Sequence, residues 1–121
     1  MDLEKAKYIV RYFSKLMNQT EAAAVRHAMY SNKLEQTPPE KKERFRKMFI
    51  SRGLISEHPE VTTLLKNGYQ SMLIDIAGRI MQEDGDKVSF NNCPACGKLT
   101  RTPKARQCRH CGNDWHQAAT H

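Results

Sequence analysis

The four cysteines of the chain form two Cys-x-x-Cys-Gly units, and their spacing constrains the fold more than any other feature of the sequence. Cys93 and Cys96 belong to the first unit, Cys108 and Cys111 belong to the second, and eleven residues lie between Cys96 and Cys108. A two-residue spacer lets both thiolates of a unit approach one ion from a tight turn. The glycine that follows permits the positive φ that turns backbone N–H groups toward the sulfurs. The pattern therefore predicts one metal site built from all four thiolates.

The chemistry of four thiolates favours a single structural Zn²⁺ as the cofactor. A catalytic zinc keeps one coordination position open for water or substrate, and four cysteines leave none. Iron in a rubredoxin-like site uses the same ligands and stays an alternative. A thiol redox pair is a second alternative, although such a pair is typical of a helix start in a βαβ unit. His110 and His116 lie close enough in sequence to replace a cysteine, but we expect them outside a shell that is already complete.

Residues 93–116 resemble a zinc ribbon, a family of small β-structures in which two such knuckles clamp one metal. The whole chain, a helical part followed by this segment, also resembles small bacterial proteins with the same arrangement. The resemblance implies a C-terminal β ribbon and a bound metal, and it implies no activity. A segment of about 30 residues buries too little surface to be stable alone, so we expect the module to need its metal to fold. Its miniature core is expected to consist of Val88, Phe90, Leu99 and Trp115.

Apolar residues recur at helical intervals in the first two thirds of the chain. This predicts a helical domain over residues 1–84 and a zinc-ribbon module over residues 85–121. The fold class is thus mainly α, a small antiparallel domain of about four helices followed by a small β module. Capping and periodicity signals place the helices at residues 2–17, 18–34, Pro39 to about Gly53, and 59–83. The last helix carries a wide apolar band, so a coiled-coil dimer through it is an alternative to a monomer.

Two capping signals add detail to these helices. Asn18 followed three residues later by Glu21 is typical of a capping box and predicts the start of the second helix. Gly53 is expected to end the third helix in a left-handed conformation. The 3.6-residue period places three apolar side chains on the inner face of the second helix, namely Ala22, Val25 and Met29.

Basic residues concentrate around the two cysteine units. The chain has 20 Lys and Arg against 13 Asp and Glu, a formal net charge of +7, which four thiolates and one Zn²⁺ lower to +5. The candidate nucleic-acid-binding residues are Lys98, Arg101, Lys104 and Arg106 between the units and Arg109 inside the second unit. Their contacts are expected to be mainly to phosphate, because the sequence shows no aromatic row for base stacking. The alternative is that these cations only balance the anionic metal centre.

Two further expectations concern the surface. In a hairpin with alternating sides, Leu99 faces inward while Lys98 and Thr100 face outward, which gives the hairpin a basic rim. The third helix carries six basic residues, Lys41, Lys42, Arg44, Arg46, Lys47 and Arg52. Such a helix is either a phosphate-binding face or the solvent side of a packed helix.

These features narrow the function to two classes. The chain has no apolar run of about 18 residues and no export signal at its N-terminus, so we expect a cytoplasmic protein without a membrane partner. No His-x-x-x-His, glycine-rich phosphate loop or serine elbow occurs, so we expect neither catalysis nor a small-molecule substrate. His58, beside Glu57 and Glu60, is interpreted as part of a helix cap. The remaining partners are nucleic acid, bound with weak sequence specificity, or another protein that the helical domain contacts in an assembly role.

Overall fold

Five α-helices and two short 3-10 helices form most of residues 1–116, the part of the chain that the computed structural model describes. The fold is mainly helical, as predicted, with five α-helices in this part of the chain instead of about four. The last five residues of the predicted module, 117–121, lie outside the described residues. The α-helices are α1 (Leu3–Tyr12), α2 (Gln19–Glu35), α3 (Pro39–Ser51), α4 (Pro59–Leu64) and α5 (Tyr69–Asp84), and the 3-10 helices are Ser14–Leu16 and Gly85–Lys87.

Two predicted helices are interrupted. The helix predicted over residues 59–83 is divided into α4 and α5, because Gly68 adopts a φ of 96°, which lies outside the helical region. The helix predicted over residues 2–17 ends at Tyr12, and a 3-10 turn follows it. Both predictions were wrong because apolar residues continue at helical intervals across a break in the backbone.

The capping predictions are confirmed. Asn18 Oδ1 accepts the N–H of Glu21 at 2.8 Å and Glu21 Oε1 accepts the N–H of Asn18 at 3.0 Å, so a capping box opens α2. Gly53 follows α3 with a φ of 71°, the left-handed conformation that ends a helix. His58 caps α4, since its Nδ1 accepts the N–H of Glu60 at 3.2 Å.

The core lies where α1 packs along α5, and α2 extends it toward α3 and α4. Its buried apolar side chains are Ala6, Ile9 and Val10 of α1, Ala24 of α2, Val61 of α4, and Met72, Leu73, Ile76, Ala77 and Ile80 of α5. The inner face predicted for α2 is wrong at Met29, which is 58% exposed, and it omits Glu21 and Ala24, which are buried, whereas Val25 packs against the core as predicted. Ala22 and Val25 are half-buried. The inner face of α2 thus includes a charged residue, Glu21, which the helical spacing of apolar residues cannot identify.

An ion pair between α2 and α5 accounts for the buried Glu21. The Glu21 carboxylate accepts Arg79 Nε and Nη2 at 2.6 Å each, in a bidentate pair. Arg79 also donates to the Leu16 carbonyl at 3.0 Å and to the carboxylate of Glu83. The hydrogen bonds that Arg79 donates to Glu21 raise the pKa of Arg79 further above its usual range, and burial only partly opposes this. The guanidinium therefore stays charged and ties α2, α5 and the 3-10 turn after α1 together.

Residues 88–116 follow the second 3-10 helix without forming strands. Their bridge pairing is limited to two isolated antiparallel bridges, Asn92 with Leu99 and Gln107 with Asp114. The predicted β ribbon is therefore absent from residues 85–116. Tight turns lie next to both bridges, and side-chain hydrogen bonds satisfy part of the backbone between them, so the ladder does not extend.

The start of the C-terminal module belongs to the helical core. Val88 and Phe90 pack against the core cluster of the helices, and the Phe90 ring centroid lies 5.8 Å from that of Tyr8. The predicted miniature core is thus wrong for these two residues, because the helical core offers them a larger apolar surface. Among residues 1–116, none of the helices combines the length and the apolar character that a bilayer crossing requires.

Candidate metal centre

The four cysteine sulfurs meet at one point of the C-terminal module. All four Sγ atoms lie within 4.8 Å of one another. The Sγ atoms of Cys93 and Cys111 are 3.6 Å apart, and those of Cys96 and Cys108 are 3.5 Å apart. The cysteines are free, since a disulfide would bring two sulfurs to about 2.05 Å. A tetrahedral ion with Zn–S bonds of about 2.3 Å separates its ligands by about 3.8 Å, so the cluster is close to the size of a four-thiolate metal site.

The two knuckles use the same set of hydrogen bonds. In each, the Sγ of the first cysteine accepts the backbone N–H groups two and three residues later, at 3.3 to 3.5 Å. The carbonyl of that cysteine accepts the N–H of the following glycine, Gly97 or Gly112. These glycines adopt φ values of 77° and 78°, so the positive φ predicted for them is confirmed. The chain therefore folds twice into one type of turn, and each turn presents its sulfurs to the other.

The N–H groups of the knuckles favour thiolates at the two buried cysteines. At Cys108 the N–H groups of its own knuckle outweigh burial and lower the thiol pKa to about 6. At Cys93 burial raises the pKa, but the equivalent N–H groups and the neighbouring sulfurs of Cys111 and Cys96 together outweigh it and the pKa is lowered. At Cys111 the N–H of Asn113 favours the thiolate, but burial and the neighbouring sulfurs outweigh it and raise the pKa to about 11. Cys93 and Cys108 thus hold negative charge readily, and Cys111 gains it less readily.

A hydrogen-bonded asparagine fixes the loop between the knuckles, and it was not predicted from the sequence. Asn91 Nδ2 donates to the carbonyls of Thr102 at 3.0 Å and Ala105 at 2.8 Å. The Asn91 carbonyl in turn accepts the N–H of Thr100 at 2.9 Å and its hydroxyl at 2.7 Å. Thr100 is only 1% exposed, so the prediction that it faces outward is wrong. The sequence offers no signal for this contact, because the two carbonyls lie 11 and 14 residues after Asn91, beyond the range of local side-chain to backbone hydrogen bonds.

The candidate cations separate into two groups. Four of them are exposed and take part in no ion pair within residues 1–116, namely Lys98, Arg101, Lys104 and Arg106. Arg109 differs, because its Nη2 lies 2.7 Å from the Glu4 Oε2 of α1. Arg109 therefore forms an ion pair with α1, which was not predicted from the sequence.

Further contacts join the C-terminal module to α1. The backbone N–H of Asn91 donates to the Tyr8 hydroxyl at 3.4 Å, next to the packing of Phe90 on the Tyr8 ring. Together with the ion pair of Arg109, these contacts set the cysteine cluster at a defined place beside the first helix. Tyr8 and Tyr12 are thereby brought near the loop that carries Thr100. Their i, i+4 spacing on α1 is the signal that could have placed two aromatic rings on one face.

The side chains of the two histidines in this region, His110 and His116, lie outside the cysteine cluster. The backbone N–H and the ring Nδ1 of His116 bond to Asp114 Oδ1, and these hydrogen bonds lower the pKa of the Asp114 carboxyl. His110 contributes its backbone N–H to the sulfur of Cys108 and leaves its side chain exposed. Among the described residues, the potential ligand atoms that cluster are those of the four cysteines.

The chain matches no family model, no curated protein and no solved structure. The resemblance to zinc ribbons therefore rests on the cysteine spacing. The geometry shows that the four cysteines form a cluster whose size and chemistry suit a metal ion.

Proposed function

We propose that this protein is a non-catalytic zinc protein of the cytoplasm that binds nucleic acid with weak sequence specificity. One Zn²⁺, held by the four cysteines, stabilises the C-terminal module in this proposal. Residues 98–106, the basic loop, contact phosphates. The observation that carries the proposal is the set of four exposed cations on this loop, which is anchored to the metal cluster at both ends.

The architecture of the module supports a structural role for the metal. Residues 88–116 form no strands, and Val88 and Phe90 pack on the helical core. Within residues 88–116, the side-chain contacts between the two knuckles are those of the cysteine cluster, including a hydrogen bond of 4.0 Å from Asn113 Nδ2 to Cys93 Sγ. A structural Zn²⁺ contributes on the order of 10–16 kcal/mol of apparent binding energy, as much as the entire net stability of about 5–15 kcal/mol of a typical domain.

The rigidity of the basic loop supports phosphate binding. Asn91 holds the loop through Thr102 and Ala105, and the Thr100 side chain is buried beneath it. A fixed backbone presents its cations with less loss of conformational entropy on binding than a free loop does. Because the cations contact phosphates and read no bases, the binding has weak sequence specificity and falls with salt.

Native mass spectrometry of the full chain tests the metal. We expect one zinc per chain, and we expect a chelator to remove it together with the hydrogen-exchange protection of residues 88–116. Protection of α1 and α5 should persist, because their contact does not use the cysteines. Oxidised cysteine pairs, or iron in place of zinc in the purified protein, would contradict the assignment.

Fluorescence anisotropy with labelled single-stranded and duplex oligonucleotides tests the partner. Four phosphate contacts predict a slope of log K against log salt of about −2.8 for the single strand, so a fourfold rise in salt weakens its binding about 50-fold. Replacing the four basic-loop cations by Gln should remove most of the affinity. The matched control changes four cations of α3, Lys41, Lys42, Arg44 and Lys47, to Gln, with the same change in net charge. Equal losses in both variants, or no binding at low salt, would contradict the proposal and favour the protein-interaction role.

A further inference from the structure

A concave groove lies between α1 and the basic loop. Its volume is about 470 Å³, within the range of about 300–1,000 Å³ typical of ligand pockets. One wall is formed by side chains of α1 and the other by the loop from Leu99 to Thr102, with Arg109 at the edge. Because the walls come from opposite ends of the chain, neither cysteine spacing nor helix periodicity indicates the groove.

The groove is positively charged. Four cations line it, Lys7 and Arg11 from α1 and Arg101 and Arg109 from the C-terminal module, against one carboxylate, Glu4. Glu4 is paired with Arg109 at 2.7 Å. Three cations therefore remain for a ligand, and they come from both walls. An anion placed between the walls would meet all three.

The groove is also aromatic. Tyr8 and Tyr12 line it, with ring centroids 5.3 Å apart in an edge-to-face arrangement. Tyr8 is buried and holds the module through its hydroxyl, whereas Tyr12 is only half-buried. The Arg11 guanidinium carbon lies 5.5 Å from the Tyr12 ring centroid. A cation and an aromatic ring thus occupy neighbouring positions on the accessible side of α1.

We infer that this groove holds an unpaired nucleotide of a single-stranded nucleic acid, with the base against Tyr12 and phosphates at Lys7, Arg11 and Arg101. The inference rests on the proposed function and narrows it to single strands. Aromatic rings beside cations are the combination that binds single strands without reading sequence. A duplex keeps its bases stacked inside the helix and offers the groove only phosphates. Arg101 belongs to both the groove and the basic loop, so one strand can reach both surfaces.

The test compares a labelled single-stranded 12-mer with a duplex of the same length, using the metal-loaded full chain. Tyr12→Leu should lower the single-strand affinity about 5- to 150-fold, because one base loses its stacking partner. Duplex affinity should change less than twofold. Tyr12→Phe keeps the ring and should retain single-strand binding. Tyr30→Leu, which alters a ring packed on Phe49 in the other half of the domain, is the matched aromatic control and should bind like the wild type.

A second pair of variants tests the cations of the groove. Lys7→Gln with Arg11→Gln should make the single-strand salt slope shallower by about 1.4, the contribution of two phosphate contacts. Lys41→Gln with Lys42→Gln on α3 has the same change in net charge and should leave the slope as it is. If Tyr12→Leu and Tyr12→Phe bind single strands equally well, or if the two charge variants behave alike, the groove assignment is wrong although the protein binds nucleic acid. If the wild type binds neither oligonucleotide, the proposed function itself is wrong.

Discussion

The ion pair between Glu21 and Arg79 makes a quantitative prediction about stability. The Glu21 side chain is 7% exposed and that of Arg79 is 26% exposed. In Glu21→Gln the amide still accepts the Asn18 N–H, because either Glu or Gln completes a capping box. The substitution therefore removes the charge of the pair and leaves the helix cap in place.

The expected loss follows from what remains around Arg79. Removing one partner of a fully buried pair costs about 3–5 kcal/mol. Here Arg79 keeps the Leu16 carbonyl and the Glu83 carboxylate, and it retains contact with solvent. We therefore expect about 2 kcal/mol, which lowers Tm by about 8 °C in a chain of this size.

Glu83→Gln is the matched control. It removes the other carboxylate of the same guanidinium, but Glu83 is 60% exposed. An exposed i, i+4 pair contributes about 0.3–0.5 kcal/mol, so Tm should fall by about 2 °C or less. Thermal and urea unfolding followed by circular dichroism on the zinc-loaded protein measures both. If Glu21→Gln destabilises no more than Glu83→Gln, burial does not strengthen the pair and the reasoning fails.

Three other predictions concern local contacts. Gly97→Ala should weaken metal retention against a chelator, because alanine is strained at a φ of 77° even though no atom lies within 4 Å of its Cβ. Its control is Gly78→Ala in the helical α5, which should raise the free energy of unfolding by about 1 kcal/mol. If Gly97→Ala loses its metal to the chelator no faster than the wild type, the strain is absent. His27→Ala should lower the free energy of unfolding by about 1–2 kcal/mol in urea titrations, because the Ser56 N–H loses its acceptor at 3.0 Å, and an unchanged midpoint would contradict this. Zinc should stay bound to the full chain at pH 7 and leave it as the pH falls below about 6, measured with a chelating dye, because the knuckle N–H groups lower the pKa of Cys108 to about 6 and keep it a thiolate above that pH. Below pH 6 protonation of Cys108 competes with the metal, and loss of zinc between pH 7 and pH 8 would contradict the lowered pKa.

The parts of the structure that depend on local chemistry were predictable. Cysteine spacing located the cluster because two residues between thiolates leave few geometries, and the Asn18 capping box is complete within four residues. The contacts of Asn91 and the pairing of Glu21 were not predictable, because the sequence around a polar residue does not indicate a partner that lies far along the chain. Gly68 was misjudged for a related reason, since an apolar stripe continued past a glycine whose φ only the folded backbone defines.

The contact between Glu4 and Arg109 also has a consequence for biosynthesis. It joins residues 105 positions apart, so it forms only after Arg109 has been translated. The packing of α1 on α5 needs only the first 84 residues and is available earlier. Translation therefore produces the helical scaffold first, and the surface between α1 and the basic loop is completed last. A truncated or stalled product can thus carry a folded helical part while it lacks the surface that distinguishes the finished protein.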